Sequence, residues 1–502
     1  MVTQRFENSF RSRLIPLPVS VEFPEMEYFP MKKDAVLRLV VDAQLYTKVS
    51  DLVQTLTMAY WKWEPVLQNI EPDSQERVPA EGYSINVNQD AIVLKASDRQ
   101  GIRNALSTLR QLSESERHVK EFTHYIVPYC KIEDFPAMSF RGMHLCWFPE
   151  TSVTDIEKQI RLAAYYKFNY IVLEPWGVFP FECEPDFGWK DKMFSRQDWQ
   201  HIIDVAGDLE ITLIPQLNIF GHAAAARVSS GKHAILNFSP KYASLFEEDG
   251  WCWCLSNPET RKLLKNLCLE LHEFFGCPPF FHIGCDEAYT AASCSECLKH
   301  ELVDLLKDHL LFFQQLFAGR NTRLMLWHDM FLDHDDPRFE SGYVASGSKA
   351  KGLSRLIGEL PRDMVFCDWQ YCGCTPAQPL DFEWASSKFF MDAGYDTLLC
   401  PWENLQNNLG QGNFIARHHG LGILGTTWHV NKGSWNLSVM FAGTAQGAWN
   451  PAAIRSMSDY LVNACTFGAS VRAVERDMKL NRYEDFGFLN QYQIDVSKSL
   501  QH

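Results

Sequence analysis

Apolar runs alternate with amphipathic, helix-length segments along the chain after residue 138. Strands buried on both faces read as continuous apolar runs, and a strand followed by a helix, repeated eight times, gives a (β/α)8 barrel. The pattern therefore predicts an α/β fold whose main part is a (β/α)8 TIM barrel. The eight apolar runs are 140–147, 169–176, 211–218, 280–287, 323–330, 363–370, 396–403 and 421–430.

The residues before the barrel show a different pattern. Apolar and polar positions alternate in 35–42, which predicts a strand, and in 83–97, which predicts a hairpin because turn-forming residues lie at its centre. Apolar residues three and four apart predict a helix over 101–112. We therefore expect a small α+β domain over 1–137, followed by the barrel and C-terminal helices over 138–502.

Polar or aromatic side chains follow nearly every apolar run of the barrel. Catalytic groups of such barrels sit at the C-terminal ends of the strands. This arrangement predicts an acidic, aromatic-walled pocket of the size of a sugar at one end of the barrel. The residues concerned are Cys146, Trp147, Glu174, Asn218, Asp286, Glu287, Trp327, His328, Asp329, Asp368, Trp369, Trp402, Glu403, Trp428 and His429.

Composition narrows the choice of partners. The 502 residues carry a formal net charge of -15, which argues against nucleic acid and against an anionic membrane surface as partners. No stretch of 18 apolar residues occurs, and the first residues have no apolar core of a signal peptide. We expect a cytoplasmic protein, although export by a route without such a leader stays open.

The chain has 15 cysteines, an odd number, spread over apparent strands, helices and loops. This usage favours reduced and mostly buried thiols over a disulfide framework. One C-x-x-C pair, Cys294 and Cys297, has no second pair at zinc-finger spacing, so helix packing is favoured over a metal site. No metal or other cofactor is expected.

Two adjacent carboxylates, Asp286 and Glu287, end the fourth apolar run. Within a strand they would point to opposite faces, but in the loop at its end both can reach one ligand. Crowding in a sheltered pocket raises the pKa of one carboxyl, leaving a protonated acid beside an ionised base. Such a pair can protonate a leaving group while stabilising positive charge. The alternative is two solvated loop charges or an acidic helix start.

The stretch HIGCDE, residues 282–287, resembles the H-x-G-x-D-E signature of family 20 glycoside hydrolases, the β-N-acetylhexosaminidases. The longer segment 257–289 is similar to the family's helix and fourth barrel strand, and GIRNALSTLRQL, KIEDFPAMSFRGMHL and LIPQLNIFGHAAA resemble further pieces in the same order. The resemblance implies an exo-acting retaining enzyme in which the 2-acetamido oxygen of the substrate attacks the anomeric carbon, forming an oxazolinium intermediate. Glu287 would be the general acid and then the base, and Asp286 would accept the acetamido N–H.

The resemblance also implies substrate contacts. Arg141 would bond the 3- and 4-hydroxyls of the sugar, and His222 would lie close to the catalytic acid. His282 would support the site from behind. Tyr371, with Asp368 nearby, would donate its hydroxyl to the acetamido carbonyl. The aromatic walls would come from Trp327, Trp369, Trp402 and Trp428.

Three positions depart from the family pattern. Glu174 stands as a substitute for the acid that pairs with the histidine, and Cys285 occupies a place where glycine is common. After the last strand, Trp428 is followed by His429 and Val430, where the family often has Trp-x-Glu with the glutamate on the 4- and 6-hydroxyls. Losing that contact should weaken discrimination at C4, so we expect action on both terminal β-GlcNAc and terminal β-GalNAc.

Three other readings remain open. The protein could hold an N-acetylhexosamine without cleaving it, although pure binding would not need an acid. A metal-dependent hydrolase could use His222, His282 and His328, but their spacing fits poorly. A conventional glycosidase would need a carboxylate nucleophile about 5 Å from Glu287, for which Asp329 or Asp368 could serve.

Overall fold

A computed structural model gives the fold for most of the chain. It describes residues 2–73, 78–118, 121–189, 191–223, 240–339, 342–371, 373, 380–428, 437, 439–453 and 467–478. Within these ranges no helix has both the length and the apolar character that crossing a membrane requires.

The N-terminal region contains a helix, two sheets and two further helices. Strands Tyr83–Val87 and Ile92–Ala96 pair antiparallel, which confirms the predicted hairpin, and the helix Arg99–Leu112 and the strand Val36–Val40 confirm the other two predicted elements. The strands are β1 (Ser20–Glu22), β2 (Tyr28–Met31), β3 (Val36–Val40), β4 (Val66–Ile70), β5 (Tyr83–Val87), β6 (Ile92–Ala96), β7 (Glu114–His118), β8 (Glu121–Pro128) and β9 (Cys130–Asp134), and the helices are α1 (Val2–Arg11), α2 (Ala43–Trp61) and α3 (Arg99–Leu112). The sheet orders are β1-β9-β5-β6-β3-β4 and β2-β8-β7.

Eight parallel strands form the barrel, as the apolar runs predict. They are β10 (Phe140–Trp147), β11 (Tyr170–Pro175), β12 (Thr212–Pro215), β13 (Phe280–His282), β14 (Arg323–Trp327), β15 (Val365–Asp368), β16 (Asp396–Leu399) and β17 (Gly422–Thr426). Their order in the sheet is β12-β11-β10-β17-β16-β15-β14-β13. A single parallel bridge between Gln216 and His282 joins the two end strands and closes the ring.

Helices follow the strands and cover the outside of the barrel. Side chains cap the start of several of them: Ser195 and Asp198 form a capping box before the helix Arg196–Asp208, and Asn257 caps the helix Pro258–Phe274, which has Pro258 in its first turn. The helices are α4 (Val153–Tyr165), α5 (Arg196–Asp208), α6 (Pro258–Phe274), α7 (Leu302–Ala318), α8 (Ala385–Asp392) and α9 (Leu405–His418), followed by two helices at Thr444–Trp449 and Phe467–Asp477.

A buried polar cluster joins the N-terminal region to the bottom of the barrel. Lys167 Nζ, from the barrel, donates to Asp134 Oδ2 at 2.9 Å and to the Tyr83 hydroxyl at 2.6 Å. Asp134 also accepts from Trp449 Nε1 at 2.8 Å. Burial disfavours the charged form of Lys167 and lowers its pKa, which Asp134 opposes. The ammonium is therefore held in place by partners from the other region of the chain.

Candidate active site

The two acids of the HIGCDE stretch lie just beyond the fourth strand. Strand β13 stops at His282, and the backbone then becomes left-handed, with φ of 69° at Gly284, 79° at Cys285 and 47° at Glu287. Residues other than glycine rarely adopt this backbone conformation, and such backbone strain concentrates at functional sites. Glycine adopts the φ of Cys285 without strain, so the cysteine at this position is strained. The twisted loop brings both carboxylates within hydrogen-bond distance of Nε2 of His222.

Asp286 is buried and held from two sides. Asn218 Nδ2 donates to Asp286 Oδ1 at 3.2 Å, and Asn218 is oriented in turn by Gln216 Nε2, 3.0 Å from its Oδ1. His222 Nε2 lies 3.2 Å from Asp286 Oδ2. The carboxylate is thus fixed before any ligand enters, which is the preorganisation that charge stabilisation requires.

Glu287 is more open than Asp286 and shares the same histidine. His222 Nε2 lies 3.0 Å from Glu287 Oε2, and the Tyr289 hydroxyl donates to Oε1 at 3.0 Å. The backbone N–H of Glu287 donates to Asp329 Oδ2 at 2.9 Å, and Trp251 Nε1 donates to its carbonyl at 2.6 Å. His222 therefore lies between the two acids, as the resemblance implies for a histidine near the catalytic acid.

The sequence predicts a raised pKa for one carboxyl of the adjacent pair, but the structure shifts a different carboxyl upward. The hydrogen bond from His222 holds the pKa of Glu287 below its usual range, while burial and the charge of Asp286 act in the opposite direction. The carboxyl that is shifted upward is Asp329, whose pKa burial and then the charge of Asp286 raise to about 6. Crowding thus raises the pKa of Asp329 rather than that of Glu287.

Predicted aromatic residues form a cluster near the acids, where Trp369 Nε1 donates to Asp329 Oδ1 at 3.3 Å. Trp428 Nε1 donates to the Tyr371 hydroxyl, and the Tyr371 ring lies 5.5 Å from that of Trp369 and 5.2 Å from that of Trp402. The structure thus brings these four predicted residues together. Trp327 differs, because it is completely buried beneath Trp428, with ring centres 5.2 Å apart. The predicted contact between Trp327 and the sugar is therefore wrong, and Trp327 instead packs beneath Trp428 and supports it.

Asp368 is not available to a ligand, so its predicted place in the substrate site is wrong. Its carboxylate is completely buried and accepts from the hydroxyls of Ser386 at 2.6 Å and Ser387 at 2.5 Å. Gln370 Nε2 donates to it at 2.9 Å, and His328 Nε2 lies 3.0 Å away. These partners take up the hydrogen-bonding positions of the carboxylate. The contact with Asp368 also holds His328 in the protein interior.

Arg141 lies at the wrong end of the barrel for the predicted contact with sugar hydroxyls. It is the second residue of β10, and at about 3.3 Å per residue it is roughly 20 Å from Trp147 at the C-terminal end. Its buried guanidinium donates to the Met138 carbonyl at 2.8 Å, to the Lys167 carbonyl at 3.1 Å and to Glu81 of the N-terminal region. The prediction is therefore wrong, and Arg141 belongs to the contact between the two regions.

We expect Arg141→Ala to affect stability rather than catalysis. Breaking a buried ion pair by removing one partner typically lowers the free energy of unfolding by about 3–5 kcal/mol. Denaturant titration should show this loss, while kcat/KM per folded molecule stays within about threefold of wild type. Exposed Arg320, two residues after α7, supplies the control Arg320→Ala. A rise in KM without a loss of stability would restore the substrate-binding role.

Glu174 was expected to pair with His222, but the structure gives it a different histidine. Glu174 Oε2 lies 3.3 Å from His144 Nε2 and 3.6 Å from Cys146 Sγ, inside the barrel. The His144 ring lies 5.3 Å from that of Trp327 and 4.9 Å from that of Trp428. Glu174 and His144 thus lie together below the aromatic walls.

Sequence reasoning missed three residues that touch the site: His144, Trp251 and Tyr289. Trp251 places its ring 4.6 Å from that of His222. It comes from a segment without the period of a strand or helix, so no sequence signal marked it. His144 could have been found, because a histidine in an apolar barrel strand needs a polar partner. His429 and Val430, on which the C4 expectation rests, lie outside the described residues.

The metal-dependent reading gains no support from the described part of the chain. The groups of potential ligands found there are His144, Cys146 and Glu174, and a second one made of Glu247 and three cysteines. Neither contains His222, His282 or His328.

Comparison with known families agrees with this geometry. The model described as glycosyl hydrolase family 20, domain 2, matches residues 11–135, and that of the family 20 catalytic domain matches residues 181–347. Together the two matches span more than half of the chain. The chain belongs to glycosyl hydrolase family 20. The first match ends just before β10, the first barrel strand.

Two curated relatives show how far the sequence similarity extends. A β-hexosaminidase from Porphyromonas gingivalis is 26% identical over 292 residues, covering 53% of this chain and 37% of the relative. The β-hexosaminidase subunit A1 of Dictyostelium discoideum is 22% identical over 404 residues, covering 75% of this chain and 71% of the relative. The chain therefore spans less than two thirds of the first relative's length.

Solved structures share the fold of this chain. The chitobiase of Flavobacterium johnsoniae matches with a TM-score of 0.67 at 15% identity, covering 93% of this chain and 73% of that one. The β-N-acetylhexosaminidase of Bacteroides fragilis matches with a TM-score of 0.64 at 17% identity, covering 93% of this chain and 99% of that one. The barrel and the preceding small region are thus the arrangement of these proteins.

Proposed function

We propose that this protein is an exo-acting, retaining β-N-acetylhexosaminidase that removes terminal β-linked GlcNAc and GalNAc from glycans or glycoconjugates. The observation that carries the proposal is that Asp286 and Glu287 both approach Nε2 of His222, at 3.2 Å and 3.0 Å, near the aromatic cluster. One carboxylate is buried and fixed, and the other is open to an incoming group.

The two acids would have separate tasks. Asp286 would stay ionised, accept the acetamido N–H and offset the positive charge that develops as the acetamido oxygen attacks the anomeric carbon. Glu287 would protonate the departing glycosidic oxygen and then deprotonate the water that opens the oxazolinium ring. Tyr371 would donate its hydroxyl to the acetamido carbonyl, and burial, which raises the pKa of Tyr371, keeps that hydroxyl protonated.

The N-acetyl group should therefore be indispensable. We expect 4-nitrophenyl N-acetyl-β-glucosaminide to be hydrolysed at least about a thousandfold faster than 4-nitrophenyl β-glucoside, since the second substrate lacks the internal nucleophile. A thiazoline mimic of the cyclic intermediate should inhibit competitively. Equal rates on the two substrates would contradict substrate assistance and favour a carboxylate nucleophile such as Asp329.

Discrimination at C4 should be weak. We expect the kcat/KM values for the 4-nitrophenyl GlcNAc and GalNAc substrates to differ by less than about a hundredfold, which is roughly 2.7 kcal/mol of differential transition-state binding. The reason is the absence of the family's Trp-x-Glu after Trp428. A larger preference for either sugar would show that another group contacts the 4-hydroxyl.

The alternative is an N-acetylhexosamine-binding protein without activity. It would bind GlcNAc at the same site but show no turnover on any of these substrates.

The expectations of a cytoplasmic location and of no nucleic acid or membrane partner stay predictions.

A further inference from the structure

Three cysteines and a glutamate converge beside the catalytic loop. Cys254 follows a tight reversal of the chain between Phe246 and Trp253, and Cys294 and Cys297 belong to the loop that continues from the catalytic acids. One ligand atom from each of Glu247, Cys254, Cys294 and Cys297 lies within 4.8 Å of all the others. We call these four residues the thiol cluster.

The spacing of the sulfur atoms suits a shared metal ion. Cys254 Sγ lies 3.7 Å from Cys294 Sγ and 3.6 Å from Cys297 Sγ. A disulfide would need about 2.0 Å. In a tetrahedral zinc site with Zn–S bonds of about 2.3 Å, neighbouring sulfur atoms are about 3.8 Å apart.

The loop around Cys294 has further features of a metal-binding turn. Cys294 and Cys297 are separated by two residues, as in structural zinc sites. The backbone N–H of Cys297 donates to Cys294 Sγ at 3.4 Å, an interaction that orients and stabilises a thiolate ligand. The other three members of the cluster are buried, and Cys294 is partly exposed.

The buried carboxylate of Glu247 also indicates a cation at this position. The residue is 1% exposed, and its Oε2 accepts from the backbone N–H of Cys294 at 2.6 Å and from the Ser293 hydroxyl at 3.1 Å. Its other oxygen, Oε1, is buried and accepts no hydrogen bond from a nitrogen or oxygen donor in the described part of the chain, while the Cys297 side chain interacts with the same carboxylate. A cation in the thiol cluster would satisfy this buried oxygen.

We propose that Glu247, Cys254, Cys294 and Cys297 bind one zinc ion. Soft thiolates favour zinc over magnesium or calcium, and four protein ligands leave no open position, so the ion would be structural rather than catalytic. It would fasten the loop after β13 to the segment that carries Trp251. Because Trp251 donates to the Glu287 carbonyl, the ion would steady one wall of the active site.

The test measures metal content and does not depend on activity. Full-length protein, purified from cells supplied with zinc and then passed through gel filtration, should contain about one zinc per chain by elemental mass spectrometry. Cys254→Ser and Cys294→Ser should reduce this to below about a tenth. Cys252→Ser is the matched control, since this buried thiol lies two residues from Cys254 but contacts the Thr290 hydroxyl at 3.5 Å and stands outside the cluster.

Two further measurements test the proposal if the cysteine variants fail to fold. Wild-type protein loaded with cobalt should show the absorption of tetrahedral cobalt with thiolate ligands, and Glu247→Gln should alter that spectrum. Chelator treatment should make Cys294 and Cys297 reactive to an alkylating agent while leaving buried Cys268 protected. Wild-type protein without zinc, stoichiometric iron in its place, a disulfide among these cysteines, or full zinc content in Cys294→Ser would each overturn the proposal.

Discussion

Glu287→Gln should lower kcat on substrates with poor leaving groups by about 10²–10⁴-fold, the usual contribution of a general acid. The amide has nearly the shape of the carboxyl but cannot deliver a proton to the glycosidic oxygen. The loss should be largest with a GlcNAc disaccharide and smaller with a 4-nitrophenyl leaving group, which departs with little protonation. Steady-state kinetics on both substrates measures this difference.

The matched control is Glu259→Gln, an exposed glutamate at the start of α6. It should retain wild-type kinetics on both substrates. If Glu287→Gln kept disaccharide hydrolysis within a few-fold of wild type, Glu287 would not be the acid.

Asp286→Asn should lower kcat by about 10²–10³-fold with a smaller change in KM, because the lost interaction is made mainly in the transition state. The asparagine cannot offset the positive charge on the cyclising acetamido group. It should also narrow the rate difference between substrates with and without the N-acetyl group. Kinetics on the two substrate types tests both effects.

Asp286 is buried against Asn218 and His222, so its replacement could also disturb the loop. Thermal unfolding and the affinity for GlcNAc, measured on the same preparations, separate the two causes. A variant that folds normally but keeps its wild-type preference for N-acetylated substrates would show that Asp286 does not hold the acetamido group.

The barrel could be predicted from sequence because each strand is buried on both faces and leaves an apolar run. The runs overestimated some strands, however. The run 280–287 contains a strand of only three residues, Phe280–His282, before the left-handed residues begin. Hydrophobicity does not distinguish a buried strand from a buried loop, so the end of β13 was not visible.

The direction in which Arg141 points could not be read from the sequence either. Alternate residues of β10 face opposite sides, and His144 faces the barrel interior, where it meets Trp327. Arg141, three positions earlier, therefore faces outward. In a strand with apolar residues on both faces nothing in the pattern fixes this parity, and a one-residue shift reverses every side chain.

The carboxylate pair was predictable because its motif is local, whereas its surroundings depend on contacts distant in sequence. Asn218 and Asp286 are 68 positions apart, and Cys254 and Cys294 are 40 apart. A C-x-x-C pair with no second pair nearby favours packing when read alone. Only the fold brings Cys254 and Glu247 to it.

The buried cluster below the barrel bears on any attempt to produce the catalytic part by itself. A fragment beginning at β10 would retain Lys167 and Arg141 but lose Asp134 and Glu81. Two cations would then remain in an apolar setting without their counter-ions, at a cost of several kcal/mol each. The N-terminal region thus supplies counter-ions that the buried cations of the barrel need, and the two regions should unfold in a single transition.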